Sequence, residues 1–316
     1  MKVKNLRNAV IDIGTNSVKL LVAEKPAGAP PSPLLHRLSI TRLGEGLESN
    51  GRLSTEAMRR TALTVADFMR QARELNTAGF SIVSTAAARK AENREDFSRI
   101  ILEIAGLPLR ILSGEEESAL GMKGVLLAFP GFEGLILDIG GGSTELSFIR
   151  HGGVFSRCLP IGCVNLHEKN IRSNPPLENE RSSLEREIQA FLKLLPEKET
   201  GWDRGGERRL VGMGGTITTL AAIIQGLERF DGERIHRFYF SGQDLKMLDE
   251  RLWRRTLQER LAMPGLDPGR ADIIPAGSAI LRKVIESFGI PGCTVSTWNL
   301  MHALIEEMPP GAQSTS

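Results

Sequence analysis

The 316-residue chain offers little from which a metal cage, a disulfide framework or a membrane anchor is built. Its three cysteines, Cys158, Cys163 and Cys293, are odd in number and lack zinc spacing. The simple expectation is therefore free thiols in a reducing cytoplasm. The five histidines, His36, His151, His167, His236 and His302, form no zinc pattern either. No apolar run approaches the roughly 20 residues that a spanning helix needs. The stretch Met1-Lys-Val-Lys-Asn5 before the apolar run at Val10 is too short to be read as a secretion signal. A net charge of +2 is too small to imply a nucleic-acid partner. Several catalytic loops are missing too. Gly46-x-x-x-x-Gly51 is followed by Arg52-Leu53, not by the Lys and Ser/Thr of a Walker A loop. Six places after Cys158 and Cys163 stand Val164 and Lys169, where a cysteine phosphatase needs arginine. No G-x-S-x-G elbow occurs.

What is present is a repeat. Val10-Ile-Asp12-Ile-Gly14-Thr15-Asn16-Ser17 and Leu137-Asp138-Ile-Gly140-Gly141-Gly142-Ser143-Thr144-Glu145 are both apolar runs that end in Asp-Ile-Gly, turn through small residues and become apolar again. Asp12 matches Asp138, Gly14 matches Gly140, and Leu20 matches Leu146. The length suggests about two domains. The composition, 41% hydrophobic and 25% charged, is that of an ordinary globular protein. Two such segments far apart therefore suggest a duplicated domain whose loops face each other across a cleft. Carboxylates beside tight Gly/Ser/Thr turns are what a metal-phosphate site needs.

Residues 8–24 read as two strands around a tight turn, and 35–42 as a third. The proline-rich stretch 26–33 is an exposed connection. Ser54 caps a helix with Met58, Ala62, Val65, Met69 and Ala72 on one face. A strand at 80–84, a helix near 94–105, a strand at 109–112 and a helix from Ser113 to Leu127 follow. The second half starts again with strands at 134–139, 144–150 and 154–159. Helices are expected near 162–170 and 178–195, then a charged, glycine-rich loop at 197–208 and a strand at 210–213. After a helix from Thr216 to Ile224, residues 241–262 and 269–288 read as helices. A strand at 294–296, a last helix at 299–307 and a frayed tail at 309–316 complete the chain. Each half thus reads βββ-α-β-α.

Each candidate loop has an ordinary reading beside the chemical one. Gly14 can take positive φ and let an anion approach, with Thr15, Asn16 and Ser17 as further donors. Alone, a plain hairpin turn explains this segment better. The triple glycine 140–142 is harder to explain by packing, and a nest of backbone N–H groups for phosphate accounts for it. Asp138 and Glu145 would then be hard-oxygen ligands for a cation or hold its waters. Gly214-Gly215-Thr216 opens a helix whose free amides suit phosphate, although a tight strand-to-helix connection fits equally well. In Ser113-Gly-Glu115-Glu116-Glu117, a capping box accounts for Glu116, and the helix dipole favours all three acids. Glu117 lies one position on, about 100° around the helix, where spacing alone leaves two readings open, another acid of the helix start or a carboxylate in the cleft that could serve as a base toward water. Arg89-Lys90 either contact phosphate or are a solvated pair.

These segments resemble the exopolyphosphatase/guanosine pentaphosphate phosphohydrolase (Ppx/GppA) family. The likeness runs in order through Asp12–Ser17 with Lys19-Leu20-Leu21, Ser84–Arg89, Ile111–Glu117, Asp138–Glu145, Pro160–Val164, Gly212–Thr216 and Pro264–Ile274. It implies an α/β, duplicated actin-like, ribonuclease H-like fold in two domains with an interdomain cleft. The expected limits are 1–124 and 125–298, with a C-terminal helix at 299–308 packed back on the first domain and a disordered tail at 309–316. It also implies Mg²⁺- or Mn²⁺-dependent hydrolysis of a terminal phosphoanhydride. Glu117 matches the family's catalytic base, Asp138 and Glu145 its acidic metal and water partners, and Arg89 a basic residue of the phosphate site. Asp12 joins Asp138 and Glu145 as a candidate metal ligand. Gly14–Ser17, Gly140–Thr144 and Gly214–Thr216 would cradle phosphates, and Lys19 and Arg270 are candidate nucleotide contacts.

Two positions depart from the family pattern. Lys19 stands where close relatives usually carry Arg, which keeps the charge and loses the planar fork. Asn299-Leu-Met-His-Ala303 replaces the usual Gly-Leu-Arg-x-Gly. The expectation is a cytoplasmic exopolyphosphatase that binds inorganic polyphosphate and neither nucleic acid nor membrane, with a homodimer suggested by family analogy alone. The alternatives are hydrolysis of guanosine pentaphosphate and a guanosine tetraphosphate sensor with little turnover.

Overall fold

The computed structural model describes residues 6–26, 28–195 and 207–308. The expected tail at 309–316 and all but the end of the expected loop at 197–208 lie outside the described residues. The chain forms two compact units. Unit 1 is Met1–Leu127 with Trp298–Ser316, and unit 2 is Ala128–Thr297.

Unit 1 holds a five-stranded sheet, β1 (Leu6–Ile13), β2 (Ser17–Lys25), β3 (Ser32–Ile40), β4 (Gly79–Ser84) and β5 (Arg110–Ile111), in the order β3-β2-β1-β4-β5. The β3-β2-β1 pairs are antiparallel, while β4 joins β1, and β5 joins β4, in parallel. From Asn8 onward every β1 residue is buried, as a central strand covered on both faces requires. Ala9, Ile11 and Ile13 face one core with α2 (Thr55–Glu74) and α4 (Arg94–Ala105). Val10, Leu21 and Val83 face another, which contains Leu120 of α5 (Gly114–Ala128) and Leu300, Met301 and Leu304 of the last helix. Ser54 caps α2 by accepting from Ala57 N–H, and the five apolar residues expected on its inner face are all buried. Short helices α1 (Leu47–Asn50) and α3 (Ala86–Lys90) complete the unit's elements up to α5.

Unit 2 repeats the plan with β6 (Gly134–Ile139), β7 (Thr144–Arg150), β8 (Gly153–Leu159), β9 (Leu210–Met213), β10 (Tyr239–Ser241) and β11 (Gly292–Val295). The order is β10-β11-β9-β6-β7-β8. The path β8-β7-β6-β9-β11 has the directions of β3-β2-β1-β4-β5, and β10 is an added antiparallel edge strand. This is the duplicated actin-like, ribonuclease H-like fold. Its helices are α6 (Cys163–Asn170), α7 (Glu178–Leu192), α8 (Gly214–Ile224), α9 (Gly232–Ile235), α10 (Gly242–Arg254), α11 (Leu257–Leu261) and α12 (Ile274–Phe288). In unit 1, α13 (Leu300–Glu307) is capped by Asn299, whose side chain accepts from Met301 N–H, and it packs on β1 and β2. The departure at 299–303 thus forms a capped, buried helix start, with the Trp298 ring stacked on His302 at 4.6 Å. Among the described residues, no helix is long and apolar enough to cross a membrane.

Several expectations need correction. The strand β3 starts at Ser32 and takes in Pro33, which an edge strand with a register shift opposite tolerates. The helix expected over 241–262 breaks at Arg255, because Thr256 and Glu259 form a capping box that starts α11. The helix expected from 269 begins at Ile274. Pro275 belongs in a first turn, and in a helix interior its ring would clash with the preceding turn. Asp267 caps a separate 3-10 turn, Pro268–Arg270. Residues 86–90, between the expected strand and the next expected helix, are helical as well, since alanine is the strongest helix former.

Candidate active site

In unit 1 the repeat turns sharply. Gly14 N–H donates to Ser17 O at 2.9 Å, and a Cβ on Gly14 would lie 3.3 Å from that oxygen. Close approach explains this glycine, because its φ is not positive as expected. The turn is strapped by residues 41–44. Thr41 and Arg42 N–H groups donate to Asn16 O at 3.0 and 2.9 Å, and Gly44 N–H donates to Thr15 O at 2.9 Å. Thr15, Asn16 and Ser17 are buried. The strap was not legible in the sequence, since it has no period and Arg42 adopts a φ of 48°, rare for a residue with a side chain.

Asp12, two residues before the turn, faces Lys19 across the ladder. Lys19 Nζ lies 3.0 Å from Asp12 Oδ2, and the Asp12 side chain is only 3% exposed. Its other oxygen, Oδ1, is buried without a hydrogen-bond partner. Beside β1, Ser84 at the end of β4 donates its hydroxyl to Ile13 O at 2.9 Å. Two residues on, α3 begins and carries Arg89 in its last turn. Arg89 Nη1 donates both to Leu112 O and to Glu117 Oε2, each at 2.9 Å. The fold thereby brings two candidates together from separate motifs. Glu116 does different work. It accepts from Ser113 N–H at 2.8 Å while Ser113 Oγ accepts from Glu116 N–H, and Arg110 pairs with it. The Ser113 N–H, then Arg110, hold the Glu116 carboxyl below its ordinary range.

Unit 2 closes its turn with the same bond, Gly140 N–H to Ser143 O at 2.9 Å. The first amides of α6 are spent on this loop, from Cys163 to Gly140 O at 3.0 Å and from Val164 to Gly141 O at 2.8 Å. Asn165 Nδ2 donates to Gly142 O. Gly162 has to be glycine for this docking, since a Cβ there would stand 2.4 Å from the Gly141 carbonyl. Among the described residues, the N–H groups of Gly141, Gly142 and Ser143 donate to no backbone carbonyl. Three successive amides unspent by the fold are what an anion nest offers.

Asp138 and Glu145 are direct partners across β6 and β7. The buried Glu145 accepts on Oε1 from Ser143 Oγ at 2.6 Å and from Cys158 Sγ at 3.1 Å. Cys158 was overlooked in the sequence, because the turn that sets it opposite Glu145 is His151-Gly152, and a turn one residue later would set Pro160 there. At the start of α8, Gly214 has a φ of +84°, and a Cβ there would fall 2.0 Å from Asp138 Oδ1. A Cβ on Gly215 would fall 2.2 Å from Arg270 Nη2. The Asp138 carboxylate and the buried Arg270 guanidinium therefore lie over successive glycines at a helix N-terminus. Thr144 and Thr216 serve the frame instead, donating their hydroxyls to Ile161 O and Ile139 O.

The donor chemistry suits a hard divalent cation. Asp138 and Glu145 are two carboxylates directly opposite each other in one ladder of unit 2. Among the described residues, no three of His, Cys, Asp or Glu converge as a closed cage. An ion held by one or two carboxylates, water and substrate phosphate, as Mg²⁺ usually is, fits that arrangement.

A duplicated ribonuclease H-like fold with paired Asp-Ile-Gly turns, unspent loop amides and an Arg–Glu pair defines a phosphate-handling enzyme. The model of the Ppx/GppA phosphatase family matches residues 21–310, and the chain belongs to that family. It is accordingly a phosphoanhydride hydrolase. Exopolyphosphatase 2 of Mycobacterium tuberculosis is 33% identical over 94% of this chain and 97% of its own. The crystal structure of an exopolyphosphatase from Cytophaga hutchinsonii matches at a TM-score of 0.86 and 27% identity, over 95% and 96% of the two chains. The Aquifex aeolicus Ppx-GppA enzyme matches at 0.77 and 29%, over 96% and 99%.

Proposed function

We propose that the chain is an exopolyphosphatase that releases terminal phosphate from inorganic polyphosphate, with Glu117 as the base toward water. The observation that carries this reading is the division of labour between neighbouring glutamates. Glu116 is consumed by the helix cap, whereas Glu117 points to Arg89, 2.9 Å away. A carboxylate held in place by a guanidinium is oriented to accept a proton from an attacking water. The reading has Arg89 also meet the negative charge of the phosphate under attack. The amides of Gly141, Gly142 and Ser143, with those at the α8 N-terminus, would receive phosphate oxygens of the chain, each donor fixed before substrate arrives. Asp138 and Glu145 would hold Mg²⁺ or Mn²⁺. When bound, the ion supplies charge neutralisation for the leaving phosphate oxygens. Positioning and electrostatics supply most of such a reaction. The exopolyphosphatase names of the Mycobacterium and Cytophaga relatives support polyphosphate as substrate.

Guanosine pentaphosphate is the second reading, favoured by the buried Arg270 guanidinium over Gly215. Phosphate release with Mg²⁺ from long polyphosphate, tripolyphosphate and guanosine pentaphosphate, compared by kcat/KM, tests both. Preference for long polyphosphate is the expected result. No release from any of the three, with tight binding of guanosine tetraphosphate, would overturn the assignment in favour of a sensor.

A further inference from the structure

We propose that Cys158 is a positioning residue for Glu145, fixing the carboxylate to the sheet so that its metal-side oxygen keeps one orientation. The inference rests on the reading of Glu145 as a cation or water partner. Glu145 Oε1 is held by two donors of different standing. Ser143 Oγ belongs to the glycine-rich turn, which α6 holds through the Gly140 and Gly141 carbonyls. Cys158 Sγ comes from β8, which pairs with β7 in unbroken register from Thr144 opposite Leu159 to Arg150 opposite Gly153. Glu145 and Cys158 are themselves direct partners in that ladder. The thiol therefore ties the carboxylate to a strand, while the hydroxyl ties it to a loop.

The other two cysteines serve packing. Cys163 and Cys293 are buried in the unit 2 core, and burial raises both thiols, Cys293 to about 12. Cys158 alone of the three is partly exposed. A buried carboxylate has more than one rotamer open to it, and each donor removed frees it to leave the productive one. A thiol is a weak donor, so its loss is expected to lower turnover about three- to tenfold.

The test uses Cys158→Ala, Cys158→Ser, Glu145→Gln and the Ala/Gln double variant in the full chain. Two quantities are read: kcat and KM for polyphosphate with Mg²⁺, and Mn²⁺ affinity from the free-ion signal in electron paramagnetic resonance. Cys158→Ala is expected to lose kcat about three- to tenfold with KM little changed, and to bind Mn²⁺ more weakly. Cys158→Ser, which keeps a donor, should recover both. In the Glu145→Gln background the alanine change should add no further loss, because the residue it positions is already altered. Wild-type kcat and Mn²⁺ affinity in Cys158→Ala would overturn the inference. So would an equal loss in both backgrounds, which marks a general packing effect. Wild-type turnover and Mn²⁺ affinity in Glu145→Gln is a separate pattern. It removes the role assigned to Glu145 itself, and the inference with it.

Discussion

Asp138 faces Glu145 across β6 and β7 in the register in which Asp12 faces Lys19 across β1 and β2. The duplication preserved the frame and inverted one charge. In unit 1 the lysine neutralises a nearly buried aspartate, and the pair is structural as well as electrostatic. In unit 2 two like charges stand opposite, which weakens a ladder unless a cation lies nearby. The two sites should therefore respond oppositely to loss of charge. Asp138→Asn is expected to leave thermal stability unchanged or higher while turnover falls about 10²-fold or more. Lys19→Met strands the Asp12 carboxylate and should cost about 2–4 kcal/mol in urea unfolding, with Lys19→Arg restoring most of it. A stability loss in Asp138→Asn as large as that in Lys19→Met would refute the contrast.

The two neighbouring glutamates of α5 give the sharpest functional test. Glu117→Gln should lower kcat about 10²- to 10⁴-fold while polyphosphate is still bound, since the amide keeps shape and loses the base. Glu116→Gln should keep near wild-type turnover, because an amide oxygen still accepts from Ser113 N–H. Phosphate release by each variant, with polyphosphate binding measured in parallel, decides between them. Near-normal release by Glu117→Gln would sink the assignment of the base.

Much of the frame was legible from period and punctuation. The limits of β6, β7 and β9 follow from apolar runs that glycines interrupt, and the inner face of α2 from residues three and four apart. The Asp-Ile-Gly repeat marked both tight turns, because a turn closed by one amide–carbonyl bond needs a small residue at the approach. What remained hidden depends on tertiary contact. Within the candidate phosphate loops, the glycine with the left-handed backbone is Gly214, not Gly14, and what presses on it is the Asp138 carboxylate, far away in sequence. The α6 amides spent on the Gly140 and Gly141 carbonyls leave no trace in local pattern. Nor does the Arg89–Glu117 bond, which joins residues on two different helices.

Acid should weaken the fold through its helix caps. Glu116 and Glu259 sit below their ordinary 4.5 because the N–H groups of Ser113 and Thr256 hold the ionised form. Asp244 sits below its ordinary 3.8 because Ser241 does the same, first by its hydroxyl and then by its N–H. A carboxyl whose pKa is depressed in the folded state stabilises it fully above the unfolded value, and loses that contribution as the pH falls through the folded one. The melting temperature should therefore be highest above about pH 5 and decline toward pH 3. The combined change Glu116→Gln, Asp244→Asn, Glu259→Gln keeps neutral acceptors in the caps and should flatten that decline. Calorimetric melting from pH 7 to pH 3 measures it, and a decline as steep as the parent's would show that other carboxylates dominate.

Gly214 and Gly226 separate backbone strain from damage to the site. Both have positive φ, +84° and +62°, so alanine at either position enters a left-handed conformation at about 1–2 kcal/mol. At Gly226 nothing lies within 4 Å of the added methyl. At Gly214 the methyl would meet Asp138 Oδ1 at 2.0 Å, so the carboxylate or the first turn of α8 must move. Gly226→Ala is expected to lose only the strain energy and to keep kcat/KM. Gly214→Ala should lose at least as much stability and, beyond it, about 10²-fold or more in kcat/KM, because small displacements of a positioned group are costly to rate. Urea unfolding and phosphate release on the two purified variants give both quantities. Equal activity in the two would mean that the Asp138 carboxylate does not need the place Gly214 leaves for it.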